Sequence, residues 1–119
     1  MSPLLTQAQK AVLIENSRKQ EPVRGTDDEI DFRPVVKLFT PDGSATWLLT
    51  ELDHEDNDTA FGLCDLGMGF PELGSVSISE LSEVRGRIGL AIERDRHFTA
   101  DKPLSAYAAE AARLGYIKS

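Results

Sequence analysis

The stretch "IERDRHF", residues 92 to 98, places five ionisable side chains in seven positions. If it is extended, Glu93, Asp95 and His97 share one face, while Ile92, Arg94, Arg96 and Phe98 share the other. A metal-independent ribonuclease needs little more than this inventory. His97 or Glu93 could move protons near neutral pH, and guanidinium groups could stabilise the charge of a phosphorane. Arg94 or Arg85 could clamp a phosphate bidentately. Arg85, Glu93, Arg94, Arg96 and His97 therefore keep open a small ribonuclease-like or toxin-like enzyme. The same alternation also describes an exposed strand laced with Glu–Arg and Asp–Arg pairs, each worth less than about 1 kcal/mol. No catalytic residue is asserted on this pattern alone.

Other motifs carry less chemistry. "GLCDLGMGFPELG" (62–74) is rich in glycine but fails the dinucleotide fingerprint, since the glycine after Gly67-Met68-Gly69 comes too late. A P-loop is excluded because the region has no lysine, and Asp65 and Glu72 would repel phosphate. These glycines read as turn-makers between two strands. "DHEDNDTAFGLC" (53–64) begins like an EF-hand loop at Asp53, Glu55 and Asn57. Its sixth position is Asp58 rather than Gly and its twelfth is Cys64 rather than Glu, so a solvated connector is favoured over a calcium site. His54 has no second histidine near it in sequence, and no metal or cofactor is assigned. Cys64 lies in an apolar segment and reads as a small buried residue rather than a nucleophile. Phe39, Trp47 and Phe61 read as core rather than as a base-stacking platform.

Charge is distributed unevenly along the 119 residues. The net charge is −7, yet none of the 13 Lys and Arg residues lies between Leu38 and Val84. That span holds ten carboxylates, among them Glu51, Asp53, Glu55, Asp56 and Asp58, and Arg85, Arg87, Arg94 and Arg96 follow it. One reading is a solvated acidic face that maintains solubility. The sharper reading is a non-enzymatic interaction module that binds an unknown protein partner through Glu51, Asp53, Glu55, Asp56 and Asp58. A basic partner is the natural complement, and direct nucleic-acid binding is disfavoured.

The length suits one domain spanning 1–119, and 40% hydrophobic content is ordinary for a globular chain. Apolar runs are too short to span a membrane, and the first residues lack the features of a secretory signal. The lone Cys64 excludes an internal disulfide and permits a reducing compartment, so a cytoplasmic location is expected.

The elements that would position these residues follow from local signals. Thr6 and Gln9 form a capping-box pattern, and Ala8, Ala11, Val12 and Glu15 recur at helical spacing, giving a helix over 7–17. Residues 18–31 are a polar loop containing Pro22 and Gly25. "PVVKLFT" and "ATWLLTEL" flank the turn "PDG", where Gly43 is expected to supply positive φ, and they predict a hairpin. Its second strand places Trp47 and Leu49 on one face and Leu48 and Leu52 on the other. Strands over 60–66 and 73–79 complete a sheet core within 34–79. Ser77 and Glu80 predict a second capping box and a short helix near 78–85, followed by an extended segment to residue 98. An alanine-rich helix over 104–114 closes the chain, with Ser105 as its N-cap and Gly115 at its C-terminus. The expected class is α+β: a mainly antiparallel β meander of four to five strands with flanking helices.

At "KLFTPDGSATWLLTELD", "AFGLCDLGMGFPELGSVSISEL" and "VRGRIGLAIERDRHF" the chain resembles the domain of unknown function 2958 family. These are small bacterial proteins often encoded on plasmids and other mobile elements. The resemblance runs from about Pro34 to Tyr107. It implies a mobile-element setting but no reaction and no catalytic residues. The family commonly has Pro where this chain has Arg87 and Ala91, which makes Arg87 a poor candidate for a shared role.

Overall fold

The computed structural model describes residues 4–119, and the spacing at Thr6 is realised in it as a complete capping box. Thr6 Oγ1 accepts from the Gln9 backbone N–H, and Gln9 Oε1 accepts from the Thr6 N–H, both at 3.0 Å. The helix it opens, α1 (Gln7–Gln20), runs three residues beyond the expected end and passes into a 3-10 turn, Glu21–Val23. Pro22 is tolerated there because a first-turn residue needs no N–H partner. Ala8, Ala11, Val12 and Glu15 all face solvent. The buried positions are Leu13, Asn16, Ser17 and Gln20, a helical stripe that is mostly polar.

Strands β1 (Val36–Phe39), β2 (Thr46–Leu52), β3 (Thr59–Asp65) and β4 (Glu72–Ser77) form the meander, and the two-residue β5 (Glu93–Arg94) pairs with β1. The order is β4-β3-β2-β1-β5, antiparallel throughout. The predicted β1–β2 hairpin forms, but Gly43 does not adopt positive φ. Thr40 closes the turn instead, its Oγ1 accepting the Ala45 N–H at 3.0 Å. Between β3 and β4, Gly67 and Gly69 supply the positive φ the turn needs, at 80° and 87°.

Each face of the sheet is covered by a helix, and the consecutive antiparallel strands with helices before and after them make the fold α+β. On one face Leu13 of α1 packs with Val36, Leu38, Trp47, Leu49 and Leu52. On the other, α3 (Leu104–Leu114) sets Leu104, Tyr107 and Ala111 against Leu48 and Leu63. Leu52 thus lies with Trp47 and Leu49 rather than with Leu48. The cause is a β-bulge between Leu49 and Glu51, which adds one residue to β2 and reverses its alternation. Gly62 lies opposite Leu49, and a Cβ there would come within 1.9 Å of the Leu48 carbonyl oxygen, so only glycine fits.

The later elements also depart from expectation in part. The short helix α2 spans only Ile78–Leu81. Ser77 Oγ accepts the Glu80 N–H at 3.2 Å, and Asp58 supplies the rest of the cap. The extended segment after it reduces to β5, because the Asp95 side chain accepts the His97 N–H at 2.8 Å and turns the chain. Ile92 and Phe98 consequently pack on opposite faces of the sheet. In α3 the N-cap position falls on Pro103 rather than Ser105. Asp31 performs the capping from outside the helix, accepting from the Ser105 N–H at 3.1 Å and from its hydroxyl. Gly115 ends the helix in the left-handed conformation, as expected. Among the described residues, no helix is long and apolar enough to cross a membrane.

Candidate functional site

The last turn of α1 and the β2–β3 connector enclose a cleft of about 270 Å³ around His54. Ser17, buried on α1, holds the ring. Its Oγ lies 3.2 Å from His54 Nδ1 and accepts the His54 backbone N–H at 3.3 Å. The opposite ring nitrogen, Nε2, lies 2.8 Å from Glu21 Oε2. Glu55 brings a third ligand-type side chain, and one atom from each of Glu21, His54 and Glu55 falls within 4.8 Å of the others. The cleft wall includes Glu51, whose side chain is only 6% exposed and pairs with Arg24 at 3.1 Å. A search for a second histidine near His54 in sequence misses this cluster. Glu55 follows His54 in the connector, but Glu21 comes from the 3-10 turn that ends α1, and the buried polar stripe of that helix is the signal that points to it.

The remaining connector carboxylates serve the backbone. Asp56 Oδ1 accepts the N–H groups of Asp58 and Thr59, and its Oδ2 accepts the Thr59 hydroxyl at 2.6 Å. These bonds, the Thr59 hydroxyl foremost, hold the Asp56 carboxyl below the ordinary aspartate range. Asp58 accepts the Ser77 hydroxyl at 2.6 Å and the Ser79 N–H at 2.8 Å, which lowers its pKa in the same way. Asp53 Oδ1 accepts the Glu55 N–H at 2.8 Å. Of the five carboxylates of the expected partner face, only Glu55 has a side chain without an internal hydrogen bond or ion pair among the described residues.

The arginine-rich stretch is used differently. Arg94 Nη1 donates to the Leu4 carbonyl at 2.9 Å, tying β5 to the segment before α1. Arg85 Nη1 donates to the carbonyls of Ser82 and Val84 at 3.1 and 2.9 Å, just past the end of α2. Glu93 lies exposed in β5, and Arg96 and His97 are exposed in the turn after it. Both guanidinium groups proposed as phosphate clamps therefore contact main-chain carbonyls. Cys64 is half-buried in β3, and burial raises its thiol pKa, the opposite of what a nucleophile requires.

A third feature is an apolar surface at one end of the sheet. Met68 and Phe70 project from the β3–β4 turn at 70% and 79% exposure, beside the exposed Leu66 and Leu73. Asp65 draws the C-terminal segment against this turn, its carboxylate accepting the N–H groups of Gly67 at 2.8 Å and Ile117 at 3.1 Å. The exposed Tyr116 is thereby brought to the same end.

No curated protein and no solved structure matches the chain. A family model does match, over residues 4–118, under the description "Protein of unknown function (DUF2958)". With nearly the whole length covered, the chain belongs to that family.

Proposed function

We propose that the protein is a non-enzymatic interaction module, acting in the mobile-element setting that its family resemblance implies. It docks a basic, extended protein segment on the outer edge of β4 and the adjoining β3–β4 turn. The observation that carries this reading is the character of that edge. β4 is the outermost strand of the sheet, with six residues in regular register against β3. Edge strands are ordinarily protected by lysine, proline, a bulge or brevity. The opposite edge, β5, is protected by being two residues long, whereas β4, "ELGSVS", carries none of these devices.

Charge sets the chemistry of the partner. The β4 edge lies wholly within the span that lacks Lys and Arg. Glu72 begins the strand and Glu80 and Glu83 follow it, all three exposed. Added strands gain affinity from main-chain hydrogen bonds and selectivity from side-chain pockets, and Met68, Phe70 and Leu73 supply apolar contacts here. The acidic face is thereby moved from the β2–β3 connector, where carboxylates are engaged in turns, to the β4 side.

Selection from a randomised extended-peptide library against the full chain tests this. Peptides rich in Lys and Arg with one or two large apolar residues should be enriched. Their binding should weaken with salt, and should fall at least tenfold in Met68→Ser/Phe70→Ser and in Glu72→Lys/Glu80→Lys. Absence of enrichment, or selected peptides that ignore both double variants, overturns the reading.

A further inference from the structure

The His54 cleft reaches β4 at Ser75, and its chemistry is of another kind. We infer that Glu21, His54 and Glu55 form a binding site for one divalent transition ion of the Zn²⁺ class. The ion is held by His54 Nε2 and one oxygen from each carboxylate.

Three observations support the assignment. First, the ligand atoms are already gathered, all lying within 4.8 Å of one another. A tetrahedral zinc ion with bonds of about 2.0–2.1 Å needs ligand atoms about 3.3 Å apart. Glu21 and Glu55 are exposed, so small rotations of their side chains close the remaining distance. Second, the imidazole is oriented from behind. Ser17 Oγ sits 3.2 Å from Nδ1, so with the proton on Nδ1 the hydroxyl accepts it and the Nε2 lone pair faces the carboxylates. Metal-binding histidines carry this kind of outer partner, which fixes both tautomer and ring orientation. Third, the cleft is built for a cation. Glu21, Glu51, Asp53 and Glu55 line it against a single guanidinium, Arg24, which is engaged by Glu51.

The donor set also selects the ion. Imidazole favours zinc, copper, nickel or iron over magnesium and calcium. Calcium takes six to eight oxygens, more than two carboxylates provide. Without the ion, His54 Nε2 and Glu21 Oε2 are in direct contact at 2.8 Å. Three protein ligands leave a fourth position for water or a further ligand, and the bound ion joins the end of α1 to the β2–β3 connector.

Zinc titrated by calorimetry into the chelator-treated full chain tests the site. One equivalent should bind to the wild type. His54→Gln and Glu21→Gln/Glu55→Gln should each weaken binding at least tenfold, and His97→Gln should leave it unchanged. Excess Mg²⁺ should not compete, and zinc should raise the thermal midpoint of the wild type but not of the double variant. That double variant alters only exposed side chains, so it reports on the site even if His54→Gln fails to fold. If the wild type does not bind zinc, or the double variant binds it equally well, the cluster is an ion pair only and the inference is wrong.

Discussion

Helices α1 and α3 cover opposite faces of the same sheet, and they are attached to it by different chemistry. α3 presents an apolar stripe, Leu104, Tyr107 and Ala111, to Leu48 and Leu63. α1 buries one large aliphatic, Leu13, and otherwise turns Asn16, Ser17 and Gln20 inward. Each of these polar side chains has a defined partner. Asn16 Nδ2 donates to the Thr50 carbonyl at the β2 bulge, Ser17 contacts His54, and Gln20 exchanges two hydrogen bonds with the Ile30 main chain. Apolar attachment is tolerant of detail, because burial is non-directional. Polar attachment fixes one register, because a buried donor or acceptor left unmade is costly. The difference teaches where function can be built: α1, held in a single position by hydrogen bonds, presents Ser17 to His54 and sets the 3-10 turn that brings Glu21 there.

The largest effect should come from the apolar side. Leu63→Ala removes a fully buried side chain between β3 and α3, and should cost about 2–5 kcal/mol in urea unfolding. Leu63→Met should cost less than about 1.5 kcal/mol, since volume and polarity are conserved. On the α1 side the rule should invert. Asn16→Ala should cost about 1–3 kcal/mol because the Thr50 carbonyl loses its donor in a buried site. Asn16→Leu should not recover the loss, although leucine is apolar and a good helix former. A leucine variant as stable as the wild type would show that α1 is held by burial after all.

A smaller effect concerns acid stability and the turns that carry the His54 side of the molecule. Asp56 and Asp58 have folded-state pKa values below the ordinary 3.8, through hydrogen bonds to Thr59 and to Ser77 respectively. A carboxylate depressed in this way contributes fully above its unfolded value and loses that contribution as pH falls through the folded value. The wild type should therefore lose stability as pH drops below about 4. Asp58→Asn should be less stable at neutral pH, with a shallower decline in acid, as read from thermal melts between neutral and acidic buffers. Equal acid slopes would remove Asp58 from this role.

The same contrast explains what was legible in the sequence. The meander of β1 to β4, the hairpin and α3 follow from apolar periodicity and turn residues, and those signals act locally, whereas the pairing of β5 with β1 does not. The faces of β2 were legible only as far as Leu49. The bulge that moves Leu52 depends on Gly62 admitting the Leu48 carbonyl, a contact between strands that no period reports. The extent of α1 and its buried face were hidden for a related reason. Asn16, Ser17 and Gln20 carry no hydrophobic signal, and their partners lie in β2, the connector and the loop before β1. Ser77 caps α2 as its local pattern indicates, but the further caps from Asp58 and Asp31 come from residues distant in sequence, and a local search looks for them at Glu80 and Ser105. In 85–96 residue type is legible, whereas the carbonyls that receive Arg85 and Arg94 are not.

The smallest expected effect bears most directly on that lesson. Spacing alone marks Val12 as part of an apolar stripe, together with Ala8 and Ala11, yet Val12 is 48% exposed and the other two face solvent. Val12→Lys places a charge where a core reading forbids one. It should change stability by no more than about 0.5 kcal/mol, because exposed positions without special contacts respond weakly. Lysine is also a better helix former than the β-branched valine, which favours the variant slightly. Urea unfolding of Val12→Lys beside Leu13→Lys makes the test internal to one helix turn. The two positions are adjacent in sequence, but Leu13 is fully buried against the sheet and its variant should unfold the protein. Comparable losses at both positions would mean that α1 is rotated about its axis relative to the arrangement described, and the contacts of Asn16, Ser17 and Gln20 would fall with it.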